Sequence, residues 1–151
     1  MTTRTLELVD PGDLVAMAQC MAIDADAFPY PSAPFGVRAV SARVWVARQG
    51  PTVEGFLAGR VRGRSLHVEG VAVAARARRQ GMGRALVREA VAHAAQSDLD
   101  AVELHVWVGN TGAIALYESE GFAVVRRLRQ FYPVAAFGPL RDALAMTRVT
   151  R

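Results

Sequence analysis

Alternating apolar and polar residues run through most of the chain and predict an architecture rich in β-strands. Alternation places every second side chain on the same face of a strand, as in a half-buried sheet. Turn residues such as Gly, Pro and Asn separate the alternating runs. The segments predicted as strands on this pattern are residues 4–9, 42–48, 54–62, 65–73, 101–108, 123–132 and 141–149.

Helical periodicity replaces the alternation elsewhere. A first helix is predicted to run to about Ala27, with Asp10 or Asp13 as alternative capping residues at its start. Between Gly81 and about Ala95, apolar residues recur every three or four positions, which is typical of an amphipathic helix. The residues of its apolar face are Leu86, Val87, Ala90, Val91 and Ala94.

A shorter helix is predicted over residues 111–119, with Gly121 as the left-handed residue beyond its end. Residues 28–36 include three prolines and are predicted to form a loop. The element order is therefore β-α-β-β-β-α-β-α-β-β, and the helix between residues 65 and 108 implies a right-handed crossover between parallel strands. We expect one domain over residues 1–151, an α+β fold with a mixed sheet of about seven strands and helices on both faces.

Composition supports a globular domain and adds a charge signal. Hydrophobic residues make up 52% of the chain and charged residues 21%, which argues against a disordered protein. No lysine occurs, so the formal net charge of +4 rests on arginine. A positive charge suits a phosphate-bearing or acidic partner.

Cysteine and histidine usage bounds the chemistry. Cys20 is the only cysteine, which excludes a disulfide framework within one chain. His67 and His93 lack the spacing of metal ligands, and we predict no metal site. The N-terminus carries no apolar signal core, and no run approaches the ~20 apolar residues of a membrane helix. We therefore expect a soluble cytoplasmic protein.

A basic, glycine-rich segment opens the predicted helix at residue 81. The N-terminus of a helix offers free amides and a partial positive charge to anions. Gly81 and Gly83 lack Cβ atoms, so a phosphate can approach the backbone closely. The segment is not a Walker phosphate-binding loop, because no Lys-Ser/Thr pair follows the glycines. It is not a dinucleotide-binding fingerprint either, because Leu86 occupies the place of the third glycine. A nucleic-acid patch and a solvated helix start remain alternatives, although the segment lacks the interleaved aromatic residues typical of nucleic-acid binding.

Two motifs resemble the signatures of the GNAT superfamily of acyltransferases. VAVAARARRQGMGRAL at residues 71–86 resembles the coenzyme-A-binding signature, in which Arg/Gln-x-x-Gly-x-Gly/Ala opens a helix after an apolar strand. WVGNTGAIALYESEGF at residues 107–122 is similar to the family's Asn-x-x-Ala-x-x-x-Tyr-x-x-x-Gly-Phe. The resemblance spans about residues 44–146. The matching positions are Arg78, Gly81, Gly83, Asn110, Ala113, Tyr117, Gly121 and Phe122.

Within that superfamily, the chain is most similar to bacterial ribosomal-protein alanine N-acetyltransferases. Residues 23–35 resemble their acidic, Phe-Pro-aromatic segment, and residues 115–133 resemble their stretch that ends in aromatic-Tyr-Pro. The resemblance implies that both aromatic segments border the groove for the acceptor. The candidate substrate-binding residues are therefore Phe28, Tyr30, Phe131 and Tyr132.

The resemblance also implies direct acetyl transfer from acetyl-CoA to a primary amine. Backbone amides from Gln80 to Arg84 would hold the pyrophosphate, and exposed backbone near Val71 and Val73 would bind the pantetheine arm between two splayed strands. Asn110 would position that arm or cap its own helix. The candidate cofactor-binding residues are Val71, Ala72, Val73, Arg78, Arg79, Gln80, Gly81, Met82, Gly83, Arg84, Asn110, Ala113 and Tyr117.

Such a reaction needs one group that accepts the proton of the amine and another that protonates the departing thiolate. Tyr117 matches the family's general acid, with a purely packing role on its helix as the alternative. His105 stands where the subfamily carries a glutamate, and an imidazole with a pKa near ~6.5 suits a base. Glu69, which shares the strand parity of Val71 and Val73, is the second candidate base. A base role for water, a plain strand histidine and a cross-strand carboxylate remain alternatives.

The leading hypothesis is an acetyl-CoA-dependent N-acetyltransferase of bacterial type, acting as a monomer or homodimer on a protein or peptide N-terminus. A small-molecule acetyltransferase for a polyamine, amino acid or amino sugar is the second hypothesis. An acyl-CoA-binding protein without turnover is the third, favoured by the missing glutamate and disfavoured by Tyr117. Nucleic-acid binding through the arginines is the fourth, and the leading hypothesis includes neither a nucleic-acid nor a membrane partner.

Overall fold

The computed structural model describes residues 3–27 and 42–150. The loop predicted at residues 28–36, with the candidate residues Phe28 and Tyr30, lies outside these residues. The strands are β1 (Arg4–Val9), β2 (Arg43–Gln49), β3 (Thr52–Arg62), β4 (Ser65–Val73), β5 (Ala101–Trp107), β6 (Ala123–Leu128) and β7 (Ala143–Val149). The helices are α1 (Leu14–Ala27), α2 (Met82–Gln96), α3 (Thr111–Ser119) and the short α4 (Val134–Phe137), with a 3₁₀ turn at Ala75–Ala77.

The described strands form one sheet in the order β1-β2-β3-β4-β5-β7-β6. Only the β4–β5 pair is parallel among the strand pairs of the described residues, and α2 makes the crossover between these two strands. This confirms the predicted mixed sheet and its central parallel pair. Within the described residues, no helix is long and apolar enough to cross a bilayer.

Alternate strand residues build two cores, one on each face of the sheet. Leu57 of β3 belongs to the core that contains Leu86 of α2, whereas its neighbours Phe56 and Ala58 belong to the core that contains Cys20 of α1. Because successive strand residues point to opposite faces, α1 and α2 cover opposite sides of the sheet. The prediction of helices on both faces is confirmed.

The start of α1 depends on one of the two aspartates that the sequence left as alternatives. The side chain of Asp13 accepts a hydrogen bond from the amide of Ala16 at 3.0 Å, which caps the helix. Asp10 instead accepts from the amide of Gly12 at 2.7 Å and forms the preceding turn.

The strand predicted over residues 123–132 is too long. β6 ends at Leu128, and Gln130 adopts a left-handed φ of 53°. Asp142 holds this turn, because its carboxylate accepts from the amide of Gln130 at 2.9 Å and from Nε of Arg127 at 2.7 Å. Phe131 and Tyr132 therefore lie in a connection after the strand and not in the sheet itself.

Candidate active site

A wedge opens between the two parallel strands. β4 and β5 pair only at Ser65–Ala101, Leu66–Val102 and His67–Glu103, although β4 continues to Val73 and β5 to Trp107. The carboxyl ends of these central strands are thus separated, as the family resemblance implied.

A β-bulge coincides with the opening of the wedge. Ala58 pairs with Gly70 and Gly59 pairs with Val68, so Glu69 is the extra residue of β4. Val68 and Val71 both pack against the α2-side core, which a regular alternation could not produce for residues three apart. A bulge bends its strand and increases the local twist, which helps β4 to leave β5 at this point.

Backbone hydrogen bonding turns Val71 and Val73 toward the wedge. The amide of Ala74 donates to the carbonyl of Glu54 at 2.8 Å. Hydrogen-bonded pairs alternate in an antiparallel ladder, so the Phe56–Ala72 pair is bonded and the backbone groups of Val71 and Val73 point away from β3. The carbonyl of Val73 accepts instead from Nε of Arg78 at 3.1 Å, which ties the glycine loop to the rim of the wedge.

The glycine loop has the shape of an anion cradle. Gly81 precedes α2 with a left-handed φ of 77°, and no side chain caps the helix. The first intrahelical bond runs from the amide of Ala85 to the carbonyl of Gly81, so the earlier amides have no partner within the helix. A Cβ added at Gly81 would find no atom within 4 Å. The cradle is therefore open, and its amides and helix dipole fit a pyrophosphate.

Side chains around the cradle are engaged by the protein itself. Gln80 accepts a hydrogen bond from Arg4 of β1 at 2.7 Å. Arg84 donates to Glu120 at 2.5 Å and to Ser119 at 2.9 Å, which joins the start of α2 to the end of α3. For Gln80 and Arg84, a contribution to anion binding would thus come from the backbone amides.

Helix α3 carries Asn110 at its start and Tyr117 in its last turn. The side chain of Asn110 accepts a hydrogen bond from the amide of Ala113 at 3.2 Å, so it caps this helix. Tyr117 belongs to the α2-side core and packs beside Phe122 with ring centroids 5.8 Å apart. Burial raises the pKa of Tyr117 to about 12, which keeps its hydroxyl protonated at neutral pH.

His105 lies on the opposite face of the sheet. Its neighbours Leu104 and Val106 belong to the α2-side core, and His105 alternates with them along β5. The ring of His105 contacts the rings of Phe131 and His67, at centroid distances of 5.0 Å and 5.1 Å. Burial lowers the pKa of His105, and the nearby positive charges of His67, Arg126 and Arg62 lower it further. His105 is thus a neutral imidazole that can accept a proton.

An aromatic wall extends from His105. Phe131 contacts Tyr132 at 4.9 Å, and Tyr132 contacts Phe137 at 5.2 Å between ring centroids. Phe137 stacks on Trp107 at 4.1 Å with an interplanar angle of 11°. The wall brings together the two predicted aromatic residues, Phe131 and Tyr132, with two that sequence analysis did not select.

A groove of about 320 Å³ lies beside His105 on strands β5, β6 and β7. Glu103 and Arg126 give it one acidic and one basic group. Its lining residues are Glu103, Leu104, His105, Val125, Arg126, Ala145, Met146 and Thr147.

Glu69 does not share the face of Val71 and Val73, contrary to the parity expected from the sequence. Because of the bulge, its carboxylate turns to Arg60 and Arg62, at 3.2 Å and 3.1 Å. Both arginines contact Oε1 of Glu69, so these two ion pairs hold the carboxylate on this face of the sheet.

His67, for which the sequence indicated no functional role, lies against His105 in the fold. Both residues lie on neighbouring strands on the face opposite α2. The signal was available in part, because the predicted parallel pair and the strand parity together would put the two rings on one face.

Comparisons with known proteins agree with this architecture. The ribosomal-protein-S18-alanine N-acetyltransferase from Escherichia coli superimposes with a TM-score of 0.85 at 24% identity, over 98% of this chain and 94% of that one. Arabidopsis thaliana NAA60, solved with a bisubstrate analogue, gives a TM-score of 0.82 at 22% identity over 97% and 98% of the two chains. A GNAT family acetyltransferase from Elizabethkingia anophelis with acetyl-CoA bound gives a TM-score of 0.80 at 17% identity over 97% of each chain.

At these identities the similar structures establish the fold. No curated protein matches the sequence. The model of the acetyltransferase (GNAT) family matches residues 10–122, well over half of the chain. The match covers the glycine loop, the wedge and helix α3. This chain therefore belongs to the GNAT family of acetyl-CoA-dependent acetyltransferases.

Proposed function

We propose that this acetyltransferase modifies a primary amine, and that its acceptor is the N-terminal α-amino group of a peptide or protein. The observation that carries the proposal is the position of His105, a neutral imidazole between the aromatic wall and an open groove. An α-amino group has a pKa near ~8, against ~10.4 for lysine, so a weak base is sufficient to deprotonate it.

The chain's own residues would divide the binding of acetyl-CoA between two elements. Amides of the glycine loop, from Gln80 to Arg84, would hold the pyrophosphate. Backbone groups of Val71 and Val73 would bind the pantetheine arm along the wedge. When bound, acetyl-CoA supplies the activated acetyl thioester. An amide of β4 directed into the wedge would then polarise its carbonyl oxygen.

Proton handling would fall to two residues on opposite faces of the sheet. His105 would remove a proton from the ammonium form of the acceptor, which leaves a nucleophilic amine. Tyr117 holds its proton at Oη, because burial raises its pKa to about 12, and would donate it to the departing sulfur. The wedge between β4 and β5 would connect the two faces at the point of transfer.

The groove and the aromatic wall beside His105 favour a peptide rather than a polyamine. Phe131 and Tyr132 offer apolar surface to a small first side chain. Arg126 of β6 lies in the groove and Arg129 follows in the connection after β6, so a polycation would meet like charges. Phe28 and Tyr30 remain a proposal for the second wall.

Mass spectrometry of reaction products tests the acceptor. We expect acetylation at the N-terminus of peptides that begin with a small residue, and little product with spermidine. The matched control is the same peptide with a blocked N-terminus and one internal lysine. Acetylation of spermidine or of that lysine, with free N-termini untouched, would contradict the peptide proposal and favour a small-molecule or lysine acceptor.

A further inference from the structure

The ring of His105 contacts two other rings. Its contact with His67 is edge to face, with 5.1 Å between ring centroids and an interplanar angle of 72°. Its contact with Phe131 has the same geometry, with 5.0 Å between ring centroids and an angle of 70°. Two such contacts restrict the rotation of an imidazole, which must present one nitrogen to the acceptor in order to act as a base.

His67 is buried and lies where the two parallel strands separate. It pairs with Glu103 at the last β4–β5 register position, at the apex of the wedge. Its relative exposure is 9%, so the sheet and its neighbours fix its ring. A side chain anchored in this way can orient a partner that lies at the edge of a groove.

The charged groups around the two rings are distributed unequally. His67 faces two carboxylates, Glu69 on its own strand and Glu103 on β5, and one guanidinium, Arg62 of β3. His105 faces the carboxylate of Glu103 but also two guanidinium groups, Arg62 and Arg126 of β6. Burial lowers the pKa of both rings, and Glu69 offsets part of this effect at His67.

Two imidazolium rings at this separation repel each other strongly, so the pair accepts protons one after the other. The positive charge of His67 lowers the pKa of His105, and Glu69 offsets part of the burial effect at His67, so we expect His67 to take the first proton of the pair. His105 then remains neutral at a pH at which an isolated histidine in its place would begin to protonate.

We infer that His67 is a positioning residue for His105: it holds the ring of the base in place and takes the first proton of the pair, which keeps His105 available. The inference rests on the proposed role of His105 as the base. Proton balance is simple, since the proton that His105 removes from the acceptor passes to water at the groove and His67 keeps its own.

NMR titration of the histidine ring resonances in the ligand-free protein tests the pair without any assay of activity. We expect His67 to titrate at a higher pH than His105 in the wild type. In His67→Phe, which keeps a ring of similar size, His105 should titrate at a higher pH than before. His67→Gln, a smaller polar substitution, makes the same prediction and serves if the phenylalanine variant does not fold.

The pH profile of kcat/KM supplies the second measurement. In both His67 variants the acid limb of the profile should move to higher pH. The ratio of kcat/KM at pH ~6 to kcat/KM at pH ~8 should then be roughly threefold smaller in the variants than in the wild type. A merely structural role would lower the whole profile without moving the limb. His93→Phe is the matched control, because His93 also contacts an aromatic ring edge to face at 5.1 Å, that of Trp45, outside the site.

Each result separates the inference from the proposed function. A wild-type titration in which His105 takes the first proton overturns the inference, as does an unchanged His105 titration in the His67 variants. His105→Ala tests the base by itself: an unaltered pH profile would remove His105 from the reaction. The titration of the two rings would still report whether they are coupled.

Discussion

Gly81 adopts a φ of 77°, which only glycine tolerates without strain, and its surroundings are open. A side chain there would project into the space that a phosphate is expected to fill. We predict that Gly81→Val abolishes measurable acetyl-CoA binding in calorimetry while the fold persists. Gly63 is a matched control, because it has a φ of 58° and equally open space in the β3–β4 turn. Gly63→Val should carry similar strain but bind normally, and equal affinity of both variants would disprove the cradle.

Tyr117 can be tested by the loss of one oxygen atom. Tyr117→Phe keeps the ring in its core and removes the proton that the proposed mechanism assigns to the departing sulfur. We expect kcat to fall by ~10² or more, with the Kd for acetyl-CoA nearly unchanged. Steady-state kinetics and calorimetry on one preparation measure both quantities. A kcat equal to that of the wild type would restrict Tyr117 to packing.

The same residue makes the stability of the protein depend on alkaline pH. Burial raises the pKa of Tyr117 from 10.0 to about 12, so the unfolded chain loses this proton first as the pH rises. The contribution of protonated Tyr117 to the free energy of unfolding is complete below pH ~10. It declines toward pH ~12, by about 1.4 kcal/mol per pH unit. Urea unfolding at pH 9 and pH 11 should show a decline about 1 kcal/mol smaller in Tyr117→Phe than in the wild type. Buried Cys20 also has a raised pKa, but it is present in both proteins and cancels in the difference. Equal declines would contradict the burial effect.

At the scale of elements, the start of α3 is where stability and ligand binding can be separated. Asn110 caps the helix through a bond from the amide of Ala113. Loss of such a cap costs about 1 kcal/mol. Asn110→Ala should therefore lower the free energy of unfolding by this amount, whereas Asn110→Ser should restore most of it. The acetyl-CoA affinity of the serine variant then decides a second role: unchanged affinity assigns Asn110 to the cap alone, and weakened affinity indicates that its amide also contacts the ligand.

The elements around the site are also joined to one another. Arg84 and Arg88 of α2 both contact the carboxylate of Glu120, which follows α3, at 2.5 Å and 2.6 Å. Arg4 of β1 contacts Gln80 in the glycine loop. These contacts fix the loop to rigid elements, which suits a site that must hold a ligand in one position.

At the scale of the whole molecule, a ligand that binds only the folded state raises its stability. At a concentration of ~100 times Kd, acetyl-CoA should add about 2.7 kcal/mol, and a chain of this size should melt roughly 5–10 °C higher. Duplex DNA at low salt tests the alternative hypothesis of nucleic-acid binding through the arginines. We expect that it does not shift the melting temperature. A shift with DNA and none with acetyl-CoA would reverse the order of the two hypotheses.

Much of this molecule follows from short-range sequence pattern. Alternation placed the strands and periodicity placed α2, because burial of one face imposes a period on neighbouring residues. The glycine loop was recognised for a similar reason, since a helix start with Gly81 and Gly83 is a local feature. The end of β6 was misplaced because Asp142, which closes the turn, is distant in sequence from Gln130.

By itself, then, the sequence determined most of the elements, their order, the parallel crossover and the glycine-rich start of α2, all of which depend on neighbouring residues. Tertiary structure decided what depends on the register between distant strands. The bulge at Glu69 turned that carboxylate toward Arg60, and the parallel register brought His67 against His105. A one-residue shift in a strand exchanges its two faces, so these contacts exist only once β3, β4 and β5 have been aligned.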